Sequence, residues 1–162
     1  PVPARARINH VSVNARDLRE SVEFYVGLLD AEQIATPNFG VPVQWLALGD
    51  TQLHLFERPL APSSHHHFAV TVDELERPYR FAEAFDAFDR ESFGNHLVLL
   101  PGDVVQLYIR DPAGNLVELD QAGAERLPAD LRALLKGLWD LHLQDERNMR
   151  GRLFIPSREA VG

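Results

Sequence analysis

Five side chains in this 162-residue sequence have the chemistry of a metal-assisted catalytic site, and they are His10, His54, His67, Tyr108 and Glu118. Imidazole nitrogens and carboxylate oxygens are ligands that suit Zn, Fe, Ni, Mn and Co. An imidazole or a phenol that is not a ligand can hold or move a proton. Isolated histidines in strands are mostly structural, so the prediction depends on the spacing of these residues.

The spacing shows an internal repeat that carries histidines. A single offset of 57 residues places His10 on His67, Val13 on Val70, Leu18 on Leu75 and Phe24 on Phe81. Both copies have the pattern of a short strand that runs into an amphipathic helix. A repeat of this length predicts two copies of one supersecondary module, each opened by a histidine.

The predicted elements of both modules follow the order βαβββ. The first module, 7–57, has a strand at 7–13, a helix at 18–29 capped by Asp17, and strands at 31–36, 43–48 and 51–57. The second module, 66–120, has a strand at 66–72, a helix at 74–88 capped by Asp73, and strands at 92–100, 104–110 and 116–120. We therefore expect an α+β domain over 1–122.

Residues 123–162 lie outside the repeat, and we predict that they form a C-terminal helical extension. Within it, a helix over 128–142 is expected to bury one apolar stripe against the core or a second subunit. The members of this stripe are Leu131, Leu135, Leu138 and Trp139.

Strand alternation assigns the candidate residues to one face of each module. On strand 51–57, Leu53 and Leu55 share the apolar face, and His54 lies on the polar face. On strand 116–120, Glu118 lies on the polar face. A pseudo-twofold relation between the modules would bring His10, His54, His67 and Glu118 towards one centre. Two histidines and one carboxylate with open positions form the ligand set of non-haem Fe(II) oxygenases, and a fourth ligand would give a more saturated site.

Composition excludes several other classes of protein. The net charge is -8 and Lys136 is the only lysine, which argues against a nucleic-acid partner. The sequence has no cysteine and therefore no thiolate site. No apolar stretch approaches the roughly 20 residues that span a bilayer, and residues 1–5 lack a signal-peptide hydrophobic region. No membrane partner and a cytoplasmic location are expected.

The chain resembles the vicinal oxygen chelate superfamily. This superfamily includes glyoxalase I, type I extradiol dioxygenases, methylmalonyl-CoA epimerase, fosfomycin-resistance transferases and bleomycin-resistance proteins. The matching segments are Ile8–Leu18, Phe24–Tyr25, His67–Val70 and the Tyr108–Leu119 stretch with its Asp-Pro-x-Gly-Asn-x-x-Glu-Leu element. The resemblance implies that paired βαβββ modules form a cupped mixed sheet around a metal cavity.

The resemblance also implies roles for individual residues. His10, His67 and Glu118 fall on the family's metal-ligand positions. His54 falls where glyoxalases carry a carboxylate ligand that also moves the substrate proton. Tyr108 lies ten residues before Glu118, where extradiol dioxygenases and fosfomycin transferases place a functional tyrosine.

From this pattern we expect a divalent-metal-dependent enzyme, most similar to an extradiol-type dioxygenase that acts on a small catechol-like or vicinal-oxygen substrate. His10, His67 and Glu118 would hold Fe(II) or Mn(II), with His54 as an acid–base group or fourth ligand and Tyr108 as a hydrogen-bond donor. The alternatives are a glyoxalase-like lyase or isomerase that uses Zn or Ni, and a drug- or metabolite-sequestering resistance protein. A homodimer is expected.

Overall fold

A computed structural model describes residues 8–155 of the chain. Arg7, the first residue of the predicted first strand, and residues 156–162 of the predicted extension lie outside the described range. The chain divides into two compact units. The first contains the residues up to Ser63 together with Asp111–Asn115, and the second contains Ser64–Arg110 together with the residues from Leu116 onward.

The first unit has the predicted βαβββ order. Its elements are β1 (His10–Ala15), α1 (Leu18–Leu29), β2 (Glu32–Ile34), β3 (Val43–Leu48) and β4 (Thr51–Glu57). The four strands form one sheet in the order β1-β4-β3-β2. β1 is parallel to β4, and the other neighbours are antiparallel. The last strand of the module therefore lies beside the first.

The second unit repeats this topology and adds one strand. Its module consists of β5 (His67–Thr71), α2 (Glu76–Ala84), β6 (Leu97–Leu100), β7 (Val104–Arg110) and β8 (Leu116–Ala122). The sheet order is β5-β8-β7-β6-β9, where β9 is the short strand Lys136–Gly137. β5 is parallel to β8, as β1 is to β4. The α+β class and the two-module prediction are confirmed.

Local sequence accounts for α1. Asp17 has extended backbone and its side chain accepts a hydrogen bond from the Glu20 amide at 2.9 Å, which satisfies one of the free amides of the first turn. The apolar side of the helix buries Phe24, Tyr25 and Leu28. These residues recur at helical spacing, so one side of α1 faces the core.

The predicted cap and length of α2 are wrong. The helix begins at Glu76, and its N-cap residue is Leu75 rather than Asp73. Pro78 lies in the first turn, where its missing amide costs no helical hydrogen bond. The helix ends at Ala84 rather than at 88 because Asp86 adopts a positive φ of 49° and the chain turns there.

The strand predicted at 7–13 is displaced along the chain to β1, His10–Ala15. Three other predicted strands are shorter in the structure than in the sequence pattern, and one is longer. The strands expected at 31–36, 66–72 and 92–100 shorten to β2, β5 and β6, whereas β8 runs to Ala122. Before β6, the Asp89 carboxylate accepts hydrogen bonds from the amides of Glu91 and Ser92. This turn occupies the residues that were expected to start the strand.

The single helix predicted over 128–142 is also wrong. Two short helices, α3 (Ala129–Arg132) and α4 (Leu138–Leu141), flank β9 instead. Lys136 and Gly137 pair in parallel with Val98 and Leu99 of β6, so the backbone there is extended and cannot continue a helix. The division into a domain 1–122 and an extension 123–162 stays a prediction.

The predicted apolar stripe is buried only in part. Leu131 is 1% exposed, whereas Trp139 is 43% exposed. Leu138 packs against a cluster that contains Val98, Tyr108 and Leu116. Among residues 8–155, no helix has the length and apolar composition needed to cross a bilayer.

We expect Leu131→Ala to lower the free energy of unfolding by about 2–5 kcal/mol, the usual range for a buried leucine. Leu134→Ala is the matched control, because Leu134 is 45% exposed and close in sequence. This control should change stability by less than about 0.5 kcal/mol. Urea unfolding of both variants measures the difference, and equal effects would contradict the packing of α3.

Candidate metal and substrate site

In the first unit, one face of the sheet carries the predicted histidines. Register pairs His10 with Gln52 across β1 and β4, and it pairs His54 with both Ser12 and Trp45. Paired residues point to the same face of a sheet, so these side chains are neighbours. The opposite face carries buried leucines, Leu46, Leu53 and Leu55. The polar and apolar faces are therefore divided as the alternation predicts.

This face forms the wall of a cavity of about 610 Å³ that lies within the first unit. A cavity of this volume is in the range of small-molecule sites. Its lining combines rings with short polar groups, and consists of Asn9, His10, Ser12, Phe39, Trp45, Asp50, Gln52, His54 and Phe56. The predicted residues His10 and His54 both lie in this lining.

His54 lies between two other rings. Its ring centroid is 4.2 Å from that of His10 and 4.1 Å from that of Trp45, with interplanar angles of 16° and 4°. Burial lowers the pKa of His54, and the nearby His10 lowers it further. The imidazole is therefore neutral at physiological pH.

A hydrogen bond fixes the orientation of His54. Its Nε2 lies 2.9 Å from Oε1 of Gln52, and in the tautomer that this contact requires, Nε2 donates. Nδ1 is then the nitrogen with a free lone pair. The ring is held by stacking and by Gln52, and it retains one atom that can accept a proton or bind a metal ion.

In the second unit, His67 and Glu118 meet. Nε2 of His67 is 3.2 Å from Oε2 of Glu118, and the two side chains are 31% and 6% exposed. Nδ1 of His67 lies 3.0 Å from the His65 carbonyl, to which it donates. In the neutral ring, Nε2 therefore has only a lone pair to offer Glu118. Two acceptor atoms at this distance need a proton or a cation between them.

Glu118 is itself held by residues of β7. Nε2 of Gln106 donates to Oε1 of Glu118, and the Tyr108 hydroxyl donates to Oε1 of Gln106 at 2.8 Å. Phe93 stacks on the Tyr108 ring with centroids 4.3 Å apart. Burial raises the pKa of Tyr108 well above its ordinary value, and the Glu118 and Asp120 charges add to this, so the phenol stays protonated.

Asp120 is a site residue that the sequence analysis missed. It follows Glu118 by two residues on the same face of β8 and is 2% exposed. Burial raises the pKa of Asp120 well above its ordinary range, with a further contribution from the charge of Glu118. Its Oδ1 is buried and has no hydrogen-bond partner among the described residues. The sequence signal that could have identified Asp120 is the pair of acidic residues, Glu118 and Asp120, two positions apart on the polar face of one strand.

The second unit brings together two donor atoms of the kinds that divalent cations bind, Nε2 of His67 and Oε2 of Glu118. A nitrogen lone pair and a carboxylate oxygen face each other, and a second carboxylate close by has an unsatisfied buried oxygen. Nitrogen and oxygen donors of this kind suit Zn, Fe, Mn and Ni. Residues 8–155 contain no group of three or more His, Asp or Glu side chains that could hold a metal ion. The predicted set of three ligands stays a prediction.

Comparison with known proteins agrees with this fold. The family model described as "Glyoxalase/Bleomycin resistance protein/Dioxygenase superfamily" matches residues 7–119. The mitochondrial methylmalonyl-CoA epimerase of Mus musculus is 30% identical over 141 residues, which is 75% of this chain and 76% of the relative. The Homo sapiens epimerase is 28% identical over 134 residues, 72% of this chain and 74% of the relative.

Two solved structures show the same fold at lower identity. A putative glyoxalase family protein from Bacillus anthracis has a TM-score of 0.59 and 21% identity, covering 74% of this chain and 97% of its own. The fosfomycin resistance protein FosX from Listeria monocytogenes, in complex with Mn(II) and sulfate, has a TM-score of 0.56 and 14% identity. The match covers 76% of this chain and 97% of FosX.

Proposed function

Because the chain belongs to the glyoxalase/bleomycin resistance/dioxygenase superfamily, we propose that it is a divalent-metal-dependent enzyme acting on a small molecule with neighbouring oxygen atoms. The reaction proposed first is proton transfer at a carbon next to a carbonyl, as in an isomerase or lyase. The observation that carries the metal proposal is the approach of His67 Nε2 to Glu118 Oε2 at 3.2 Å, since both atoms offer lone pairs when the His67 ring is neutral. The names of the epimerase relatives support the reaction class.

The proposed metal ligands are His67 and Glu118 of the second unit with His10 of the first. His54 is either the fourth ligand or the group that moves the proton. When bound, the ion would polarise the substrate oxygens. Zn or Ni suits the isomerase or lyase, and Fe(II) or Mn(II) suits the dioxygenase discussed below.

His54 is the residue best suited to move the proton. Its pKa is lowered by burial, so the ring is unprotonated at neutral pH and ready to accept a proton. Gln52 holds Nε2, which leaves Nδ1 as the accepting atom. The His54 ring is stacked between the rings of His10 and Trp45, which limits its rotation. A base held in one orientation acts on one position of a bound substrate.

Extradiol dioxygenation of a catechol-like substrate is the second candidate, favoured by Tyr108. Its hydroxyl lies in the same hydrogen-bonded group as Glu118, linked to it through Gln106. In this reaction the Tyr108 hydroxyl would turn from Gln106 to donate to a substrate oxygen, and His54 would act as the acid or base. The phenol is able to donate because burial keeps it protonated.

One set of assays distinguishes these reactions. Protein loaded with Zn(II), Ni(II), Mn(II) or Fe(II) is tested for deuterium uptake from solvent into methylmalonyl-CoA, for hemithioacetal isomerisation, and for oxygen consumption with catechols. Turnover in either of the first two supports proton transfer, and oxygen uptake supports the dioxygenase. Ligand binding with no turnover under any metal would overturn both and favour a sequestering protein.

The expected homodimer and cytoplasmic location also stay predictions. Analytical ultracentrifugation of the full chain measures the first, and a value for a monomer across micromolar concentrations would contradict it.

We predict that Gln106→Leu weakens metal binding by roughly 10–100-fold, the range for residues that orient a ligand. The change removes the amide that donates to Glu118 and the oxygen that accepts from Tyr108. Calorimetric titration with Mn(II) and Zn(II) measures the affinity directly.

Gln121→Leu is the matched control. Gln121 is also a buried glutamine, but its side chain bonds the backbone of Leu75 and Gly123. It is expected to lower stability without changing metal affinity. Equal metal affinities in wild type and Gln106→Leu would contradict the orienting role of Gln106.

A further inference from the structure

Phe93, in the turn before β6, contacts two residues of the candidate site in the second unit. Its ring stacks on the Tyr108 ring with centroids 4.3 Å apart, and it meets the His67 ring edge-on at 5.5 Å and 83°. We propose that Phe93 is a positioning residue for Tyr108 and His67, and that the C-terminal helix α4 completes the site by supporting Phe93. The inference rests on the proposed function in taking His67 as a metal ligand and Tyr108 as a hydrogen-bond donor.

The first argument is that the Phe93 ring restricts the two side chains it contacts. A hydrogen bond holds the Tyr108 hydroxyl at Gln106, and another holds Nδ1 of His67 at the His65 carbonyl. Each of these bonds holds one atom and leaves the plane of the ring able to turn about it. Stacked and edge-to-face contacts between rings favour particular interplanar angles. The contacts with Phe93 therefore help to specify where Nε2 of His67 and the Tyr108 hydroxyl point.

The second argument is that the turn itself holds Phe93 in place. The Asp89 carboxylate accepts hydrogen bonds from the amides of Glu91 and Ser92, and from the Arg110 guanidinium at 2.7 Å. Arg110 also donates to the Ser92 hydroxyl at 2.9 Å. These bonds fix the chain up to the residue before Phe93. The position of the ring is therefore built into the turn, as a positioning role requires.

The third argument is that α4 packs on the same apolar cluster as Phe93. Leu138 and Leu141 are the half-buried leucines of this helix. Together with Phe93, they pack against three buried residues, Val98, Tyr108 and Leu116. Helix α4 lies beyond residues 7–119, which match the family model. A segment outside the shared module thus contributes to the packing around Tyr108.

Two further contacts join the C-terminal segment to the turn that carries Phe93. The methyl groups of Leu141 lie 3.6 and 3.8 Å from the position that a Cβ atom on Gly94 would occupy. Gly94 has a φ of 81°, which glycine adopts more readily than any other residue. The Asn95 side-chain amide donates to the Leu134 carbonyl at 3.2 Å. A displacement of α4 would therefore also displace the turn and the Phe93 ring.

The first measurement uses NMR of the full chain without metal. The sequence has three tyrosines, so in protein with ¹³C-labelled tyrosine the Tyr108 ring signals are those that Tyr108→Phe removes. Phe93→Leu keeps an apolar side chain but removes the stacked ring, and it is expected to shift these signals downfield. Leu141→Ala should shift them in the same direction. Leu143→Ala is the matched control, because Leu143 is 99% exposed, and it should leave them unchanged.

The second measurement is metal affinity, by calorimetric titration with Mn(II) and Zn(II). Phe93→Leu is expected to weaken binding by about ten-fold, the lower end of the range for residues that orient a ligand. Phe93→Tyr retains the ring and should restore the affinity. Phe85→Leu is the control, because Phe85 is a phenylalanine of the same unit that is 59% exposed. A purely structural role would lower the stability of Phe93→Leu and leave its metal affinity unchanged.

A double variant tests whether α4 acts through Phe93. Leu141→Ala alone is expected to weaken metal binding by about three-fold, and to have little further effect in the Phe93→Leu background, because residues that act through one another are not additive. Additive effects of the two changes would contradict the role given to α4.

Two other results would overturn the proposal. One is that Phe93→Leu leaves the Tyr108 signals and the metal affinity as in wild type, and the other is that Phe93→Tyr loses as much affinity as Phe93→Leu. Failure of the proposed function is a separate result. In that case wild type itself binds no metal, while the shifts of the Tyr108 signals in Phe93→Leu and Leu141→Ala still support the positioning of Tyr108 by Phe93 and α4.

Discussion

His67→Ala is expected to abolish stoichiometric metal binding and turnover together, with a loss of metal affinity greater than about 100-fold. The reason is that His67 is a proposed ligand, whose Nε2 lies 3.2 Å from the Glu118 carboxylate. Loss of a ligand should exceed the 10–100-fold effect of losing a residue that only orients one. Metal analysis of protein purified without oxygen measures the content, and calorimetry measures the affinity.

The matched control is His65→Ala. His65 is a near neighbour whose contact with His67 is made by its backbone carbonyl, and alanine retains this group. Its side chain packs against Phe93. The control should keep metal content and turnover near those of wild type. Tight, stoichiometric metal binding by His67→Ala would remove His67 from the proposed ligand set.

His54→Gln is expected to reduce turnover by about 100-fold or more, which is the usual scale of general acid–base catalysis, while the metal stays bound. Glutamine can still hydrogen-bond Gln52, but it cannot accept a proton at neutral pH. If His54 is instead the fourth ligand, metal affinity falls first and turnover can be restored by excess metal. Turnover and metal titration on the same preparation distinguish the two roles.

His96→Gln serves as the control for loss of a buried imidazole. His96 is 7% exposed, burial lowers its pKa, and its Nε2 lies 3.2 Å from the Tyr79 hydroxyl in the second unit. The variant is expected to change stability while turnover is unaffected. If both histidine variants lose turnover to the same extent, the effect of His54→Gln is structural and its proton-transfer role is wrong.

The elements that sequence predicts well are those with a strong local pattern. The helix over 18–29 and the strands over 43–48, 51–57 and 104–110 agree with the structure at both ends. In each, side-chain periodicity and a turn or cap specify the limits. The C-terminal end of α2 depends on the positive φ of Asp86. The replacement of the tail helix depends on pairing with β6. Local periodicity in the sequence indicates neither of these.

The same distinction applies to the site. The repeat and strand alternation identify His10, His54, His67 and Glu118 as residues of the polar faces. They do not reveal Gln106 as the partner of Glu118, because that contact depends on the register between β7 and β8. Trp45 and Phe39 likewise become visible only when β3 and its preceding loop are placed beside β4.

The pairing of β9 with β6 has a consequence for how the protein behaves in concentrated solution. An uncovered strand presents a row of unpaired amides and carbonyls on which another chain can form a further strand, and this is a common route to aggregation. Lys136 and Gly137 occupy that row on β6, and they add a charged side chain at the edge. A chain truncated before Lys136 would present Leu97–Leu100, four apolar residues in extended conformation, to its neighbours. Its main defect would then be self-association that grows with protein concentration, even where each molecule stays folded.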